Sequence, residues 1–346
     1  METHEQYRRC LVLAGGGLRF AYYLGVHAAI DDSGRRPDVL LASCGGAVAA
    51  AVIAALPHAR ARRDWIAGPA MYAFLRAIRP TPRATPLRTL GAAGLRWLAR
   101  TPAARIPSLH ADYLFELPAV LPLPETNNPD APALAIVGAR LLYRPDEAGA
   151  ARQGRRLFAQ VVFCPPRAAA LLDGSAAPAA DPRWSAGAVD ALLQADTSLS
   201  AADAARISIA DMFYFSSHEV AGRHYGGGVI DLFPIELARR LAHEVLMERK
   251  MPFNPWFALP ALRSVLGIDG AARLRHVHAQ QAEAWYDTRD AAHVLRSHAI
   301  AKRIGWRANR IGLDVPPTLQ AYAAQVRAQW DYGYRKGMAA LRDVRR

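Results

Sequence analysis

Cysteine, acidic residues and long hydrophobic runs are all scarce in this sequence. Its three cysteines, Cys10, Cys44 and Cys164, cannot form a disulfide framework and lack the spacing of metal ligands. No run approaches the roughly 20 apolar residues that cross a bilayer, and residues 1–9 lack the apolar core of a signal peptide. These absences predict a cytoplasmic protein without a disulfide framework or a metal site.

Acidic residues are outnumbered, with 30 Asp and Glu against 43 Lys and Arg, which gives a net charge of +13. An excess of this size favours an anionic partner, such as phospholipid, coenzyme A, an acyl carrier protein or nucleic acid. An Arg- and Ala-rich composition imposed by a GC-rich genome explains the same excess equally well. The charge alone therefore identifies no partner.

What the sequence does contain is a pair of strand–glycine turn–helix units near its start. The first unit places an apolar strand, a glycine triplet and an apolar helix at 10–14, 15–17 and 21–30. The second places a strand, a turn and an Ala-rich helix at 39–42, 43–46 and 47–56. Two such units in succession predict an α/β fold in which two helix N-termini lie side by side at one sheet edge. Such an edge can hold a negative charge.

The remainder of the chain predicts one α/β domain with helical additions. Proline-interrupted helical stretches at 58–125 indicate an insertion that is either a lid over a site or a set of peripheral helices. Further strands are expected at 131–143 and 157–164, and helices at 235–246, 261–266, 271–286, 290–304 and 319–341. We therefore expect a domain at 1–250 that includes the insertion, with a helical C-terminal extension at 251–346 packed on it.

The second glycine turn has the pattern of a nucleophile elbow. In such a strand–turn–helix, the residues two before and two after the nucleophile must be small, because strand and helix nearly collide there. Ala42 and Gly46 satisfy this requirement around Cys44, whereas a tip at Ser43 would need the bulky Leu41 as a flank. The pattern therefore favours Cys44 as a nucleophile, and the following helix N-terminus predicts a lowered pKa for its thiol.

The first glycine turn, Gly15, Gly16 and Gly17, would supply unhindered backbone N–H groups beside this elbow. Such groups are what an oxyanion hole requires. A dinucleotide-binding loop is the competing interpretation, but G-x-G-x-x-G fails at Phe20, where glycine is needed. We therefore expect the triplet to form an oxyanion hole.

The blocks 15–19, 44–47 and 227–234, taken in this order, resemble the patatin-like phospholipase family over residues of about 10 to 245. The family patterns are G-G-G-x-R/K-G for the oxyanion hole, G-x-S-x-G for the nucleophile and D-G-G/A for the dyad aspartate. The resemblance implies a three-layer α/β/α fold with a mostly parallel central sheet. It also implies acyl hydrolysis or transfer by a Ser–Asp dyad, without a metal or other cofactor.

The sequence departs from the family pattern at both members of the dyad. Cys44 stands at the serine position, and Gly226 stands at the aspartate position, since Pro234 sets the register of that block. Ala42 and Phe20 replace two further glycines of the patterns. The loss of both nucleophile and base points away from an ordinary lipid acyl hydrolase.

Two functions remain open, and the favoured one is an enzyme with Cys44 as covalent nucleophile. A thiol needs less help from a base than a hydroxyl, so loss of the aspartate is tolerable. A thioester intermediate without a water-activating base would favour transfer over hydrolysis. His224 is the first candidate base, followed by His218 and Asp231. Acyl thioesters of coenzyme A or acyl carrier protein, or a lipid, are the expected substrates.

The alternative function is a catalytically inactive protein that keeps the cradle and binds a lipid or an acylated partner. The retained glycine triplet favours the enzyme, because an inert fold has little need of so flexible a run. An anionic membrane surface is a further candidate partner, through the basic end of the last helix, and no nucleic acid partner is expected.

Overall fold

A central β-sheet carries the functional residues in the computed structural model, which describes residues 5–126 and 128–343. Residues 1–4 of the polar N-terminus and residues 344–346 of the basic C-terminal end lie outside the described residues. The strands are β1 (Tyr7–Leu13), β2 (Val39–Ala42), β3 (Arg79–Pro80), β4 (Phe115–Glu116), β5 (Ala133–Leu141), β6 (Phe158–Phe163), β7 (Gln194–Asp196), β8 (His218–Val220), β9 (Arg223–Gly226), β10 (Ala242–Arg249), β11 (Ala284–Asp287), β12 (Ala301–Gly305) and β13 (Arg310–Asp314).

Helices surround this sheet and alternate with its parallel strands. They are α1 (Phe20–Asp32), α2 (Gly45–Ala55), α3 (Ala59–Ile66), α4 (Pro69–Ala77), α5 (Pro86–Leu98), α6 (Pro166–Leu172), α7 (Ala201–Ser208), α8 (Ile235–Leu241), α9 (Ala258–Leu266), α10 (Gly270–His278), α11 (Ala291–Val294) and α12 (Leu319–Asp343). None of the helices in the described ranges is both long enough and apolar enough to cross a membrane.

The strand order of the main sheet is β11-β10-β1-β2-β5-β6-β7, with β9 paired to β5 and β8 paired to β9. The run from β11 to β5 is parallel throughout, and β6 and β9 each pair with β5 in antiparallel fashion. Parallel strands end at the same edge of a sheet. The segments that follow β1, β2, β10 and β11 therefore meet at one edge.

Side chains of the central strands alternate between two apolar cores, one on each face of the sheet. Leu11 and Leu13 of β1 pack with α1, α2 and α12 on one face. Cys10 and Val12 pack with α6, α8, α9 and α10 on the other face. This arrangement confirms the three-layer α/β/α fold with a mostly parallel sheet that the resemblance implied.

The C-terminal helix α12 lies unusually close to α1. A methyl group on Gly333 would overlap the carbonyl oxygen of Tyr22, and one on Gly25 would overlap that of Trp330. The two helix backbones therefore touch, and only glycine fits at the crossing. Helices α1 and α12 together cover one face of the sheet.

We expect Gly333→Ala to lower the free energy of unfolding by about 1–3 kcal/mol, because the added methyl meets backbone atoms that cannot rotate away. Gly94→Ala is the matched control, since Gly94 lies in α5 with open space around it. That control should gain about 0.5–1 kcal/mol from helix propensity. Urea unfolding followed by circular dichroism measures both changes, and a gain in stability for Gly333→Ala would contradict the close packing.

Three predicted helices are shorter than expected because strands replace their ends. The helix expected at 235–246 stops at Leu241, and β10 begins at Ala242. The helix expected at 271–286 gives way to β11, which pairs with β10 in parallel. Residues 301–304, expected to be helical, belong to the β12–β13 hairpin. Ala, Glu and Arg have high helix propensity, but pairing with a neighbouring strand overrides this local preference.

Candidate active site

Cys44 lies at the tip of a sharp turn between β2 and α2. Its backbone has φ 49° and ψ −127°, in the left-handed half of backbone space that residues with side chains rarely adopt. The next two residues are glycines because a methyl on Gly45 would overlap the carbonyl oxygen of Gly17, and one on Gly46 that of Leu13. This is the strained strand–turn–helix geometry of a nucleophile elbow.

The glycine triplet follows β1 and borders the elbow. A methyl on Gly15 would lie 3.3 Å from Cβ of Cys44, so this loop lines one side of the thiol. Gly17 has φ +61°, a conformation that suits glycine. Within the described part of the chain, the N–H groups of Gly16 and Gly17 make no hydrogen bond. Free N–H groups in this loop are one requirement of an oxyanion hole.

The thiol has a carboxylate partner that the sequence did not indicate. Sγ of Cys44 donates a hydrogen bond to Oδ2 of Asp211 at 2.7 Å. Asp211 lies just after α7, in the apolar stretch 207–215. Its other carboxylate oxygen, Oδ1, is buried and has no hydrogen-bond partner among the described residues. The thiol and carboxylate thus form a buried pair, and a backbone hydrogen bond from Val229 also favours the ionised form of Asp211.

Burial of this pair governs its protonation. Desolvation raises the pKa of Asp211 to about 7. The pKa of Cys44 is raised well above its ordinary value, first by burial and second by the charge of Asp211. The expected lowering of the thiol pKa by the helix N-terminus is therefore wrong, because desolvation and a carboxylate at hydrogen-bond distance outweigh the helix dipole. Near neutral pH the sulfur is a thiol rather than a thiolate.

The block that contains Gly226 lies directly behind Asp211. Gly226 ends β9 and pairs with Ala139 of β5. The N–H of Gly227 donates to the carbonyl of Ala210 at 2.9 Å, and a methyl on Gly227 would lie 2.7 Å from Oδ1 of Asp211. The segment that lacks the expected aspartate therefore touches a carboxylate from the neighbouring segment.

A family model described as patatin-like phospholipase matches residues 11–239, about two thirds of the chain. The chain belongs to the patatin-like phospholipase family. A search of curated proteins found no match. Membership supports a function of the lipid acyl hydrolase type, with a lipid as substrate. The matched range includes the elbow, the glycine triplet, Asp211 and the Gly226 block, whereas β10, β11 and α12 follow it.

The three bases considered from the sequence do not contact the thiol of this patatin-like protein within the described residues. Nε2 of His224 lies 4.0 Å from the carboxylate of Glu219, on strands β9 and β8. His218 is half-buried on β8, and the carboxylate of Asp231 pairs with Arg273 at 3.1 Å. Asp211 was missed because a single acidic residue in an apolar stretch gives no motif. Its isolation among apolar neighbours was the one available signal.

Two serines hold the elbow of the patatin-like domain in place. The N–H of Cys44 donates to Oγ of Ser208 at 2.8 Å, and that hydroxyl donates to the carbonyl of Val137 at 2.7 Å. The hydroxyl of Ser43 donates to the carbonyl of Asp231 at 2.9 Å and is buried. The Ser43 hydroxyl is therefore hydrogen-bonded to the main chain. Of the two residues, Cys44 is the one that lines the cavity in front of the elbow.

A buried cation supports the glycine triplet from behind. Nζ of Lys250 donates to the carbonyl of Gly15 and to the hydroxyls of Tyr22 and Tyr23, the latter two at 2.9 and 3.1 Å. It lies 3.4 Å from the buried carboxylate of Glu248. Burial lowers the pKa of Lys250, and the neighbouring Glu248 opposes that shift. Within residues 5–126 and 128–343, no group of three or more His, Cys, Asp or Glu side chains could hold a metal ion.

A cavity of about 520 Å³ opens in front of Cys44 and Asp211. Most of its wall is apolar and comes from Phe20, Ile209, Phe215, Leu232, Leu295 and Leu313. Three cationic side chains, Arg19, Arg296 and Lys302, also line it. Part of the wall comes from the segment 292–302. None of the lining residues belongs to the insertion at 58–125, which was one candidate for the lid.

Proposed function

We propose that this protein is an acyl-transfer enzyme of the patatin-like family in which Cys44 is the covalent nucleophile and Asp211 the general base. The observation that carries the proposal is the 2.7 Å hydrogen bond from the thiol to the carboxylate at the tip of the elbow. A nucleophile within hydrogen-bond reach of a base, beside free backbone N–H groups, is the arrangement that acyl transfer requires. The carboxylate comes from the segment next to the family's usual aspartate position.

The first half of the reaction forms a thioester. The thiol proton moves to Oδ2 of Asp211 while the sulfur attacks the acyl carbonyl carbon. The carbonyl oxygen becomes an oxyanion, which the N–H groups of Gly16 and Gly17 stabilise. The tetrahedral intermediate then collapses, the bond to the leaving group breaks, and Asp211 returns the proton to that group. A base with a pKa near 7 is well matched to this double role.

The second half of the reaction needs the same base. Asp211 takes a proton from water or from an alcohol acceptor, whose oxygen attacks the thioester carbonyl. The carbon–sulfur bond breaks and the sulfur regains a proton as the free thiol. Transfer was expected over hydrolysis because the sequence showed no water-activating base, and in this mechanism Asp211 takes that role. Hydrolysis and transfer therefore both remain within this mechanism.

The cavity suits an acyl donor with an anionic head group. Apolar side chains surround the space next to the thiol, which fits an acyl chain. Arg19, Arg296 and Lys302 on the same wall fit a phosphate group. Such a phosphate could belong to a phospholipid or to the acyl thioester of coenzyme A or a carrier protein, and the experiment must separate these sources.

Trapping the acyl-enzyme tests the proposal. The protein is incubated separately with a p-nitrophenyl acyl ester, an acyl-coenzyme A, an acylated carrier protein and an anionic phospholipid, and its intact mass is recorded. We expect a single acyl adduct that is absent from Cys44→Ala and present in Cys164→Ala. Cys164 is the matched control because burial also raises the pKa of its thiol, to about 12. Among the three donors that carry a phosphate, the one that labels fastest identifies the source of the phosphate.

Decay of the adduct separates the two reactions, since release of free acid in buffer indicates hydrolysis and persistence until an alcohol is added indicates transfer. An adduct that survives in Cys44→Ala would refute the assignment of the nucleophile. Failure of every donor to label the protein would refute covalent catalysis. Tight binding of a fatty acid in that case would indicate the catalytically inactive alternative.

A further inference from the structure

An exposed apolar surface lies on helix α5 and the segment just before α9. Its members, which we call the Trp97 face, are Leu87, Leu90, Leu95, Trp97, Leu98 and Trp256. Leu87 and Leu95 are more than 70% exposed, at 72% and 73%, and the side chain of Pro86 is the one that α5 buries among the described residues. The rings of Trp97 and Trp256 stack at 5.9 Å, which joins the two segments into one surface.

The stretches of chain that form this face carry positive charge without matching negative charge. Between Asp64 and Asp112 the sequence has seven arginines and no Asp or Glu. Asp112 itself lies within 4 Å of three arginine side chains, Arg83, Arg88 and Arg96. The segment 249–268 likewise contains no acidic residue. The local excess of arginine is thus larger than ion pairing can neutralise.

We propose that the Trp97 face docks on an anionic lipid surface. Exposed leucine and tryptophan next to arginine is the chemistry of an element that lies in a membrane interface, with its apolar side chains in the acyl boundary and its cations at the phosphates. Burial of such side chains against a protein would leave the surrounding arginines in need of acidic partners. A lipid bilayer with anionic head groups meets both requirements at once.

The position of the face relative to the catalytic edge supports this assignment. The segment 250–257 contains Trp256 and follows β10. It leaves the sheet at the same edge as the glycine triplet and the elbow. The guanidinium of Arg96 lies 3.3 Å from the centre of the Phe213 ring, two residues from Asp211. Docking through this face therefore brings the catalytic edge towards the lipid. Docking of this face does not depend on catalysis by Cys44.

Vesicle sedimentation tests the inference. The full chain is mixed with vesicles of phosphatidylcholine alone or of phosphatidylcholine with phosphatidylglycerol, at low salt and at high salt. We expect binding to the anionic vesicles that weakens as salt rises. Leu95→Ser should weaken it by about tenfold. Arg100 is exposed and lies two residues after Leu98, and Arg100→Glu should weaken binding by about fivefold or more. The matched controls are Leu192→Ser and Arg144→Glu, since both side chains are exposed and lie elsewhere in the chain.

Failure of the wild-type protein to sediment with anionic vesicles at low salt would overturn the inference. Equal losses for Leu95→Ser and Leu192→Ser would overturn the assignment of the face. Self-association that depends on Leu95, without vesicle binding, would replace the lipid by a second copy of the chain. Labelling of Cys44 by a soluble acyl ester should be unchanged in the face variants. Failure of that labelling in every variant would concern the proposed catalysis and leave the vesicle result intact.

Discussion

Asp211→Asn is expected to slow acylation of Cys44 by about 10²- to 10⁴-fold, the range typical of a lost general base. The amide has nearly the shape of the carboxylate but cannot accept the thiol proton. Burial is the first cause of the raised pKa of Cys44 and persists in the variant, so little thiolate forms without that base. Stopped-flow acylation by a p-nitrophenyl ester measures the change.

The pH profile sharpens this test. With the pKa of Asp211 raised to about 7, the wild-type acylation rate should rise tenfold per pH unit below pH 7 and level off above it, because the base must be ionised. In Asp211→Asn this rise should be replaced by one at higher pH that follows ionisation of the thiol. His224→Ala is the matched control and should keep the wild-type rate and profile. Loss of activity in His224→Ala with an unaffected Asp211→Asn would return the role of base to His224.

Stability distinguishes a lost base from a damaged fold. The native pKa of Asp211 lies above the usual carboxyl value of 3.8, so the folded protein binds the proton more tightly than the unfolded chain. The resulting contribution favours folding at low pH and is lost as pH rises towards 7. At pH 8 the buried carboxylate is ionised, which disfavours the folded state. Asp211→Asn removes this buried charge, and the variant should therefore unfold at a higher urea concentration than wild type at pH 8. A variant that is inactive and less stable would not support a catalytic role.

Arg273→Met is expected to lower the free energy of unfolding by about 3–5 kcal/mol, the cost of leaving a buried charge without its partner. Arg273 is buried and lies 3.1 Å from Asp231 and 2.6 Å from Glu236. Asp231 is also buried, and Gln160 is its other side-chain hydrogen-bond partner among the described residues, at 3.2 Å. Because the carbonyl of Asp231 accepts from Ser43, the loss should also loosen the elbow.

Urea unfolding at neutral pH measures this effect, with Arg289→Met as the matched control. Arg289 pairs with Asp287 at 2.6 Å, but both side chains are at least 40% exposed. Such a surface pair contributes about 0–1 kcal/mol, so its loss should be small. Similar losses of unfolding free energy in Arg273→Met and Arg289→Met would show that the buried ion pairs of Arg273 stabilise the fold no more than a surface pair does.

Much of the catalytic edge could be predicted from the sequence because strand–turn–helix units are local. The strand, glycine triplet and helix at 10–30 and the second unit at 39–56 each fold from contiguous residues, and small flanks around a tip residue are a steric requirement visible in the sequence. The same local blocks carry the family resemblance, which the match over 11–239 confirms. Continuous apolar runs likewise indicated β5 and β6 within two residues of their ends.

Tertiary structure alone decided the partner of the thiol and the protonation of the pair. Asp211 reaches Cys44 across 167 positions of sequence, through the packing of the segment after α7 against the Gly226 block. Its raised pKa and that of the thiol follow from burial, which no motif encodes. Strands β10, β11 and β12 were missed for a related reason, since pairing with distant or returning strands outweighed local helix propensity. The sequence by itself determined the scaffold and the cysteine at its tip, whereas long-range packing supplied the carboxylate beside it.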